Sequence, residues 1–314
     1  MSLLKTLGKG FGTAVRTLRV LAYVWPVNFV FALVVVSPVV FLIQRDFGHS
    51  LSGDIVGRLS FSWLGDVAYK YAVIAPALAG FILLWGLIYL IVSLFLNGGI
   101  IGRIAASGEK IRLSSFFADC GKYFWRFVRV FLLTLAAYAL VLGVVMKLVA
   151  LPFDAVVRGA SGEWRALVAS NLEFLLVILV LSVVSMFFDY MKIRLVAEDG
   201  KKVWRALLST ASLVGRNFFR AWGLYLLVGI FFLGLSLAFV AAGNRWISKW
   251  AIGGLGFAWA QLYVIFRLWI KVLFFGTEYQ FYQAHKTGPR SGPAPAPAPA
   301  PLEKKEENQP VPGP

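Results

Sequence analysis

The chain has 314 residues, of which 59% are apolar or aromatic and 15% charged, against close to half and a quarter in a soluble domain. A soluble fold of this length has no room to hide so much apolar surface, and a mean hydropathy of +0.76 excludes an ordinary water-soluble enzyme. The formal net charge of +16 would point to nucleic acid in a soluble domain, but in so apolar a chain it points to the anionic face of a bilayer.

The first 19 residues form a basic amphipathic helix, with Lys5, Lys9, Arg16 and Arg19 on one side and Leu4, Leu7, Phe11, Ala14 and Leu18 facing away. The apolar run that follows, 20–43, is much longer than the about 7–15 residues of a signal peptide's apolar region, so an uncleaved first span is expected. Further runs long enough to cross hydrocarbon lie at 71–96, 130–151 (if Lys147 snorkels outward), 166–191 with Glu173 and Asp189 inside, 221–244, and 251–275 with Arg267 and Lys271 inside. Backbone groups in lipid must pair within their own segment, and none of the runs has the period-2 alternation of a membrane barrel. The fold class is therefore all-α: a polytopic membrane helix bundle of six transmembrane helices over 20–285, with cytoplasmic amphipathic elbow helices. Residues 286–314 carry a strict Pro-Ala alternation ending at Pro301 and a charged stretch from Glu303 to Glu307. This composition favours extended chain with no core, a disordered cytoplasmic tail and a candidate contact for a protein partner.

Orientation follows from the flanking cations. With the N-terminus inside, 23 of the 31 Lys and Arg residues fall on the inner side, so both termini are expected in the cytoplasm.

Each pair of spans is preceded by a basic amphipathic stretch. Lys201, Arg205, Ser209, Ser212, Arg216 and Arg220 line one helical face, and so do Ser115, Asp119, Lys122, Arg126 and Arg129. Gly121-Lys122-Tyr123-Phe124-Trp125-Arg126 parallels Gly215-Arg216-Asn217-Phe218-Phe219-Arg220, and Gly8-Lys9-Gly10-Phe11 echoes the first half of that wording, which suggests a threefold internal repeat. Such stretches can anchor the bundle, collect anionic headgroups in the interface plane or dock a soluble partner. The residues placed toward anionic lipid are Lys9, Arg16, Lys122, Arg126, Arg129, Lys201, Arg205, Arg216 and Arg220.

Ionisable groups inside spans are functional candidates by default. Asp189 and Arg267 fall at similar depth. They can form an interhelical pair, serve coupling, or stay apart with Asp189 on Lys192 and Arg267 snorkelling to phosphate. Asn97, Asp189 and Glu278 recur at 92- and 89-residue intervals and would gather at one inner mouth beside Arg103, Arg194 and Lys271, a chamber suited to a headgroup or a coupling ion. Pro26 and Pro76 are expected to bend spans one and two, and Gly98, Gly99 and Gly102 to mark the elbow after span two. One cysteine, Cys120, and two histidines, His49 and His285, leave no metal site to expect. No Walker loop, HExxH or GxSxG motif is present. No cofactor, catalytic residue or nucleic-acid partner is expected.

The six-span plan and the stretch FDYMKIRLVAEDGKKVWRALLSTASLVGRNFFRAWGLYLL, residues 188–227, resemble uncharacterised bacterial integral membrane proteins related to the membrane domain fused to some glycerophosphoryl diester phosphodiesterases. The soluble phosphodiesterase barrel has no counterpart in this sequence, so no hydrolytic activity carries over. The resemblance implies a bacterial plasma membrane and an association with lipid. The function expected is non-enzymatic handling or sensing of an amphiphile or small solute. The alternative is a scaffold that recruits proteins through its basic helices and tail.

Overall fold

The computed structural model describes residues 3–47, 65, 69–106, 111–158, 162–200, 202–243, 245 and 254–286. Lys201, His49, Asp54, Asp66 and all but the first residue of the 286–314 tail lie outside them. Among the described residues every regular element is a helix: α1 (Leu3–Arg16), a short 3-10 turn (Leu18–Val20), α2 (Leu21–Phe47), α3 (Ala75–Ala105), α4 (Leu113–Leu140), a π turn (Val141–Val145), α5 (Met146–Arg158), α6 (Glu163–Ala197), α7 (Val203–Arg216), α8 (Phe218–Ala242) and α9 (Gly254–His285). Six helical runs are long and apolar enough to cross a membrane: Leu18–Asp46, Ala75–Ala105, Leu113–Phe153, Glu163–Ala197, Phe218–Ala242 and Gly254–His285.

The helices α3, α6 and α9 have 31, 35 and 32 residues. At about 1.5 Å rise per residue they are roughly 47–53 Å long and exceed a hydrocarbon core of about 30 Å. They run past the expected ends at 96, 191 and 275, because their last turns are buried among other helices, where an apolar-count criterion has no bearing. Gly98, Gly99 and Gly102 consequently mark no elbow. They lie inside α3, where α4 crosses so closely that a Cβ on Gly99 would come within 2.5 Å of both Cys120 Sγ and the Phe116 ring. Pro76 does not bend its span either. It occupies the first turn of α3, where the missing N–H would have no partner in any case.

The packing is cyclic. The helices α3, α6 and α9 touch one another, while α2 packs on α3 and α9, α4 on α3 and α6, and α8 on α6 and α9. Each basic stretch lies on the central helix of the preceding pair: α1 on α9, the start of α4 on α3, and α7 on α6. The buried positions match in register. Gly10, Ala14, Leu21 and Val24 correspond to Phe116, Cys120, Phe127 and Val130, and to Thr210, Val214, Ala221 and Leu224. This register keeps Gly121–Arg126 opposite Gly215–Arg220 but sets Arg16, not Lys9, opposite Lys122 and Arg216. The shift is seven residues, close to two turns, so the helical stripe keeps its phase while the wording slips.

The first and third stretches are separate helices, each broken from its span at a short polar residue. Thr17 (φ −95°, ψ 12°) hydrogen-bonds its hydroxyl to the Thr13 carbonyl at 2.8 Å, and Asn217 (φ −127°, ψ 28°) its amide to the Leu213 carbonyl at 3.3 Å. Side chains of this kind compete with the backbone ladder. The corresponding residue in α4 is Tyr123, and Ser115–Arg129 is the first half of a continuous α4 and not an elbow of its own.

The buried core sits at the end of the bundle that carries α1, α7 and the start of α4, hereafter the basic end. There α1 divides into three faces. Thr6, Gly10, Thr13, Ala14 and Thr17 are buried, whereas Leu4 and Phe11 remain 71% and 46% exposed, and Lys5, Lys9 and Arg16 occupy the remaining side. The face that docks on α9 is thus the small-residue one, which leaves Leu4, Val15 and part of Phe11 exposed, as an interfacial helix requires.

Candidate functional site

Five helices line an open cavity of about 510 Å³ toward the basic end. Asn28 of α2 and Tyr89, Ser93 and Asn97 of α3 line one side; Asp189 and Lys192 of α6, Tyr225 and Phe232 of α8, and Tyr263, Arg267, Leu268, Lys271 and Phe274 of α9 line the other. Helical spacing places these groups. Arg267 and Lys271 are four residues apart on one face of α9, and Tyr89, Ser93 and Asn97 repeat the same step along α3. The polar groups of α2 and α3 hold each other in place: the Tyr89 hydroxyl donates to Asn28 Oδ1 at 2.6 Å, and Asn28 Nδ2 donates to the Val24 carbonyl at 2.8 Å.

The charges do not pair across the cavity. Asp189 Oδ1 accepts from Lys192 Nζ at 2.8 Å, one turn along the same helix, and forms no ion pair with Arg267. A counter-ion fixed three residues away on α6 wins over one that would have to bridge the cavity to α9. Among the described residues neither Arg267 nor Lys271 has a carboxylate within ion-pair distance. The cavity therefore presents three cations and one carboxylate, and the single carboxylate is already engaged. Its chemistry is that of an anion receptor bounded by apolar and aromatic walls.

The structure brings Asn97, Asp189, Arg267 and Lys271 to this one cavity and sets Glu278 behind it, 1% exposed. Arg103 and Arg194, expected at the same mouth, are engaged elsewhere. Arg103 Nε donates to Asp119 Oδ2 at 2.7 Å, and Arg194 Nε to Glu198 Oε2 at 3.2 Å. The reading from sequence missed Asn28, Tyr89 and Tyr225 altogether and took Lys192 only as a local partner of Asp189. Polar and aromatic residues scattered through apolar runs carry no mark of which will face the same space.

Of the cations placed toward lipid, Lys9, Arg16, Arg129, Arg205, Arg216 and Arg220 are exposed at the basic end. Lys122 and Arg126 are not available in the same way. Both reach Asp199, at 3.1 and 2.7 Å, because α6 closes with Asp199 in the left-handed region (φ 47°) and its carboxylate turns back toward α4. The Arg126 hydrogen bond, followed by that of Lys122, holds the Asp199 carboxyl below the usual carboxylate range. A folded pKa below the unfolded one means that these ion pairs stabilise the fold above about pH 3.9 and that this contribution is lost as pH falls through the folded value. Asp199→Asn keeps a side chain that tolerates the left-handed backbone and removes only the charge. It is expected to lower thermal stability slightly at neutral pH, by about 1 kcal/mol or less for so exposed a pair. The difference from the parent should shrink progressively in melts recorded below about pH 3.9; a difference unchanged by pH would show that the ion pairs contribute nothing.

Comparison with protein-family models, curated proteins and solved structures gives no match for this chain.

Proposed function

We propose that this multi-pass membrane protein binds an anionic amphiphile in the five-helix cavity and carries or senses it, without catalysing a reaction. The observation that carries the reading is the pair Arg267 and Lys271, two cations without carboxylate partners among the described residues, in a 510 Å³ space. Ionisable groups at membrane depth are costly unless a ligand or partner compensates them, and basic pockets between spans suit lipid headgroups. Phe232, Leu268 and Phe274 on the same walls suit the start of an acyl chain. The exposed cations of the basic end, with the outward apolar face of α1, suit the anionic cytoplasmic leaflet of a bacterial plasma membrane, with both termini on that side. The resemblance over most of residues 1–285 to the membrane domain fused to some glycerophosphoryl diester phosphodiesterases, which implies an association with lipid, agrees with such a ligand.

Native mass spectrometry of the detergent-purified chain tests this. Phosphatidylglycerol adducts are expected on the parent protein and phosphatidylcholine adducts are not. Arg267→Gln and Lys271→Gln should each weaken binding about tenfold, as loss of a charge-assisted hydrogen bond implies, and deletion of residues 287–314 should leave it intact. Adducts that survive the double substitution would overturn the reading. Displacement of the lipid by glycerol phosphate at equal concentration would move it to a free solute.

A further inference from the structure

The two walls of the cavity differ in chemistry. Arg267 and Lys271 of α9 and Lys192 of α6 line one wall and are hydrogen-bond donors only. The carboxylate on that side, Asp189, is already held by Lys192 at 2.8 Å. On the other wall Tyr89, Ser93 and Asn97 follow one another at four-residue steps along α3, and side chains of these types accept hydrogen bonds as well as donate them. Tyr89 gives its proton to Asn28 Oδ1 at 2.6 Å, which leaves its oxygen as an acceptor. Asn97 is 7% exposed, and its amide oxygen has no hydrogen-bond partner among the described residues. It is also the one polar side chain between Leu94 and Ile101, a stretch where packing alone would place an apolar residue. A buried polar group in that position calls for something that answers it.

A bare anion matches only one of these walls. Its oxygens accept from the cations of α9, but it brings no donor for the acceptors of α3. An ammonium group would bring donors, yet three cations against one engaged carboxylate repel it. A hydroxyl is the neutral group that both donates and accepts. We propose that the ligand is a phosphorylated polyol, with its phosphate on Arg267 and Lys271 and its neighbouring hydroxyls on Ser93 and Asn97, so that α3 selects one headgroup among anions. The inference rests on the anionic-amphiphile reading and extends it from charge to headgroup chemistry, which a lipid and a free polyol phosphate share. An amide and a hydroxyl placed for ligand hydroxyls reject an analogue without them, because they are then left unmet. The cations do not distinguish the two.

The test titrates the full chain in detergent with short-chain phosphatidylglycerol and with phosphatidylpropanol of equal chain length, which keeps the phosphodiester charge and lacks both hydroxyls. The parent protein should bind phosphatidylglycerol about tenfold more tightly, as one or two neutral hydrogen bonds imply. Asn97→Leu should bind the two lipids alike, by weakening phosphatidylglycerol alone, and Ser93→Ala should narrow the preference. Arg267→Gln should weaken both lipids by a similar factor and keep their ratio. Equal binding of the two lipids by the parent overturns hydroxyl recognition and leaves the cavity reading standing. A preference retained in both Asn97→Leu and Ser93→Ala overturns the assignment to α3. Binding of neither lipid above phosphatidylcholine overturns the cavity reading, and this inference with it. Displacement of the lipid by glycerol phosphate but not by propyl phosphate, each at equal concentration, upholds hydroxyl recognition and makes the ligand a free solute. Should Asn97→Leu fold poorly, the preference of the parent read against that of Ser93→Ala decides the matter.

Discussion

Replacing Gly10 with alanine is expected to lift α1 off α9. A Cβ at this position would stand 2.2 Å from Thr277 Cγ2 and 2.7 Å from Thr277 Cα. The methyl could swing away, but the backbone atom could not. Restoring contact distance moves α1 outward and loosens what the close crossing permits: the hydrogen bond from Gln280 Nε2 to Thr13 Oγ1 at 3.1 Å and the edge-on packing of Phe11 on Trp269 at 5.3 Å. Overpacking of this kind costs about 3 kcal/mol, and a 14-residue helix has little stability of its own once undocked. Gly8→Ala is the matched control. Nothing lies within 4 Å of its would-be Cβ, so the gain in helix propensity of up to about 1 kcal/mol is unopposed. Thermal melts in detergent should place Gly10→Ala well below the parent and Gly8→Ala at or above it. Equal melting of the two variants would show that the α1–α9 crossing contributes little.

The second large effect concerns the join of α3 and α4. Arg103 is 8% exposed and its guanidinium is bound to Asp119. Gly102 makes the space, since a Cβ there would lie 2.7 Å from the Asp119 carboxylate. Asp119→Ala removes the carboxylate that binds a buried guanidinium and is expected to destabilise the protein by about 3–5 kcal/mol. The double substitution Arg103→Met with Asp119→Leu should recover most of that loss, because an apolar pair of similar bulk removes the buried charge altogether. A thermal or denaturant series on the three variants measures both effects. Destabilisation by the double variant equal to that of Asp119→Ala would mean that packing, and not charge, explains the loss.

These two sites differ in how much of them could be read in advance. The run of small residues Gly8, Gly10 and Gly12 among threonines is visible in the sequence. That Gly10 alone meets a backbone, while Gly8 and Gly12 meet nothing, depends on where α9 crosses. The wording shared by Gly121–Arg126 and Gly215–Arg220 likewise marks corresponding places in the fold. The apparent echo at Gly8–Phe11 is seven residues out of register, because a helical stripe looks alike after two turns and only burial separates the alternatives.

At the cavity the contrast is sharper. Asp189, Arg267, Lys271, Asn97 and Glu278 stand out as candidates because polar groups in apolar runs are costly and few. The pairing of Asp189 with Lys192, the diversion of Arg103 and Arg194 to Asp119 and Glu198, and the inclusion of Asn28, Tyr89 and Tyr225 in the walls all depend on which helix faces lie opposite one another.

The amino-acid order by itself determined that this chain forms long apolar helices, six of them of membrane-crossing length, since runs of some twenty uncharged residues bury their backbone polar groups in lipid only as helices. It also determined which faces are basic, because that depends on spacing along a single helix. Only the tertiary structure decided which helices lie in the centre, which charges find partners and which do not. Ion pairs and close crossings are settled by distances of a few ångströms between segments far apart in the chain, and no local pattern encodes those distances.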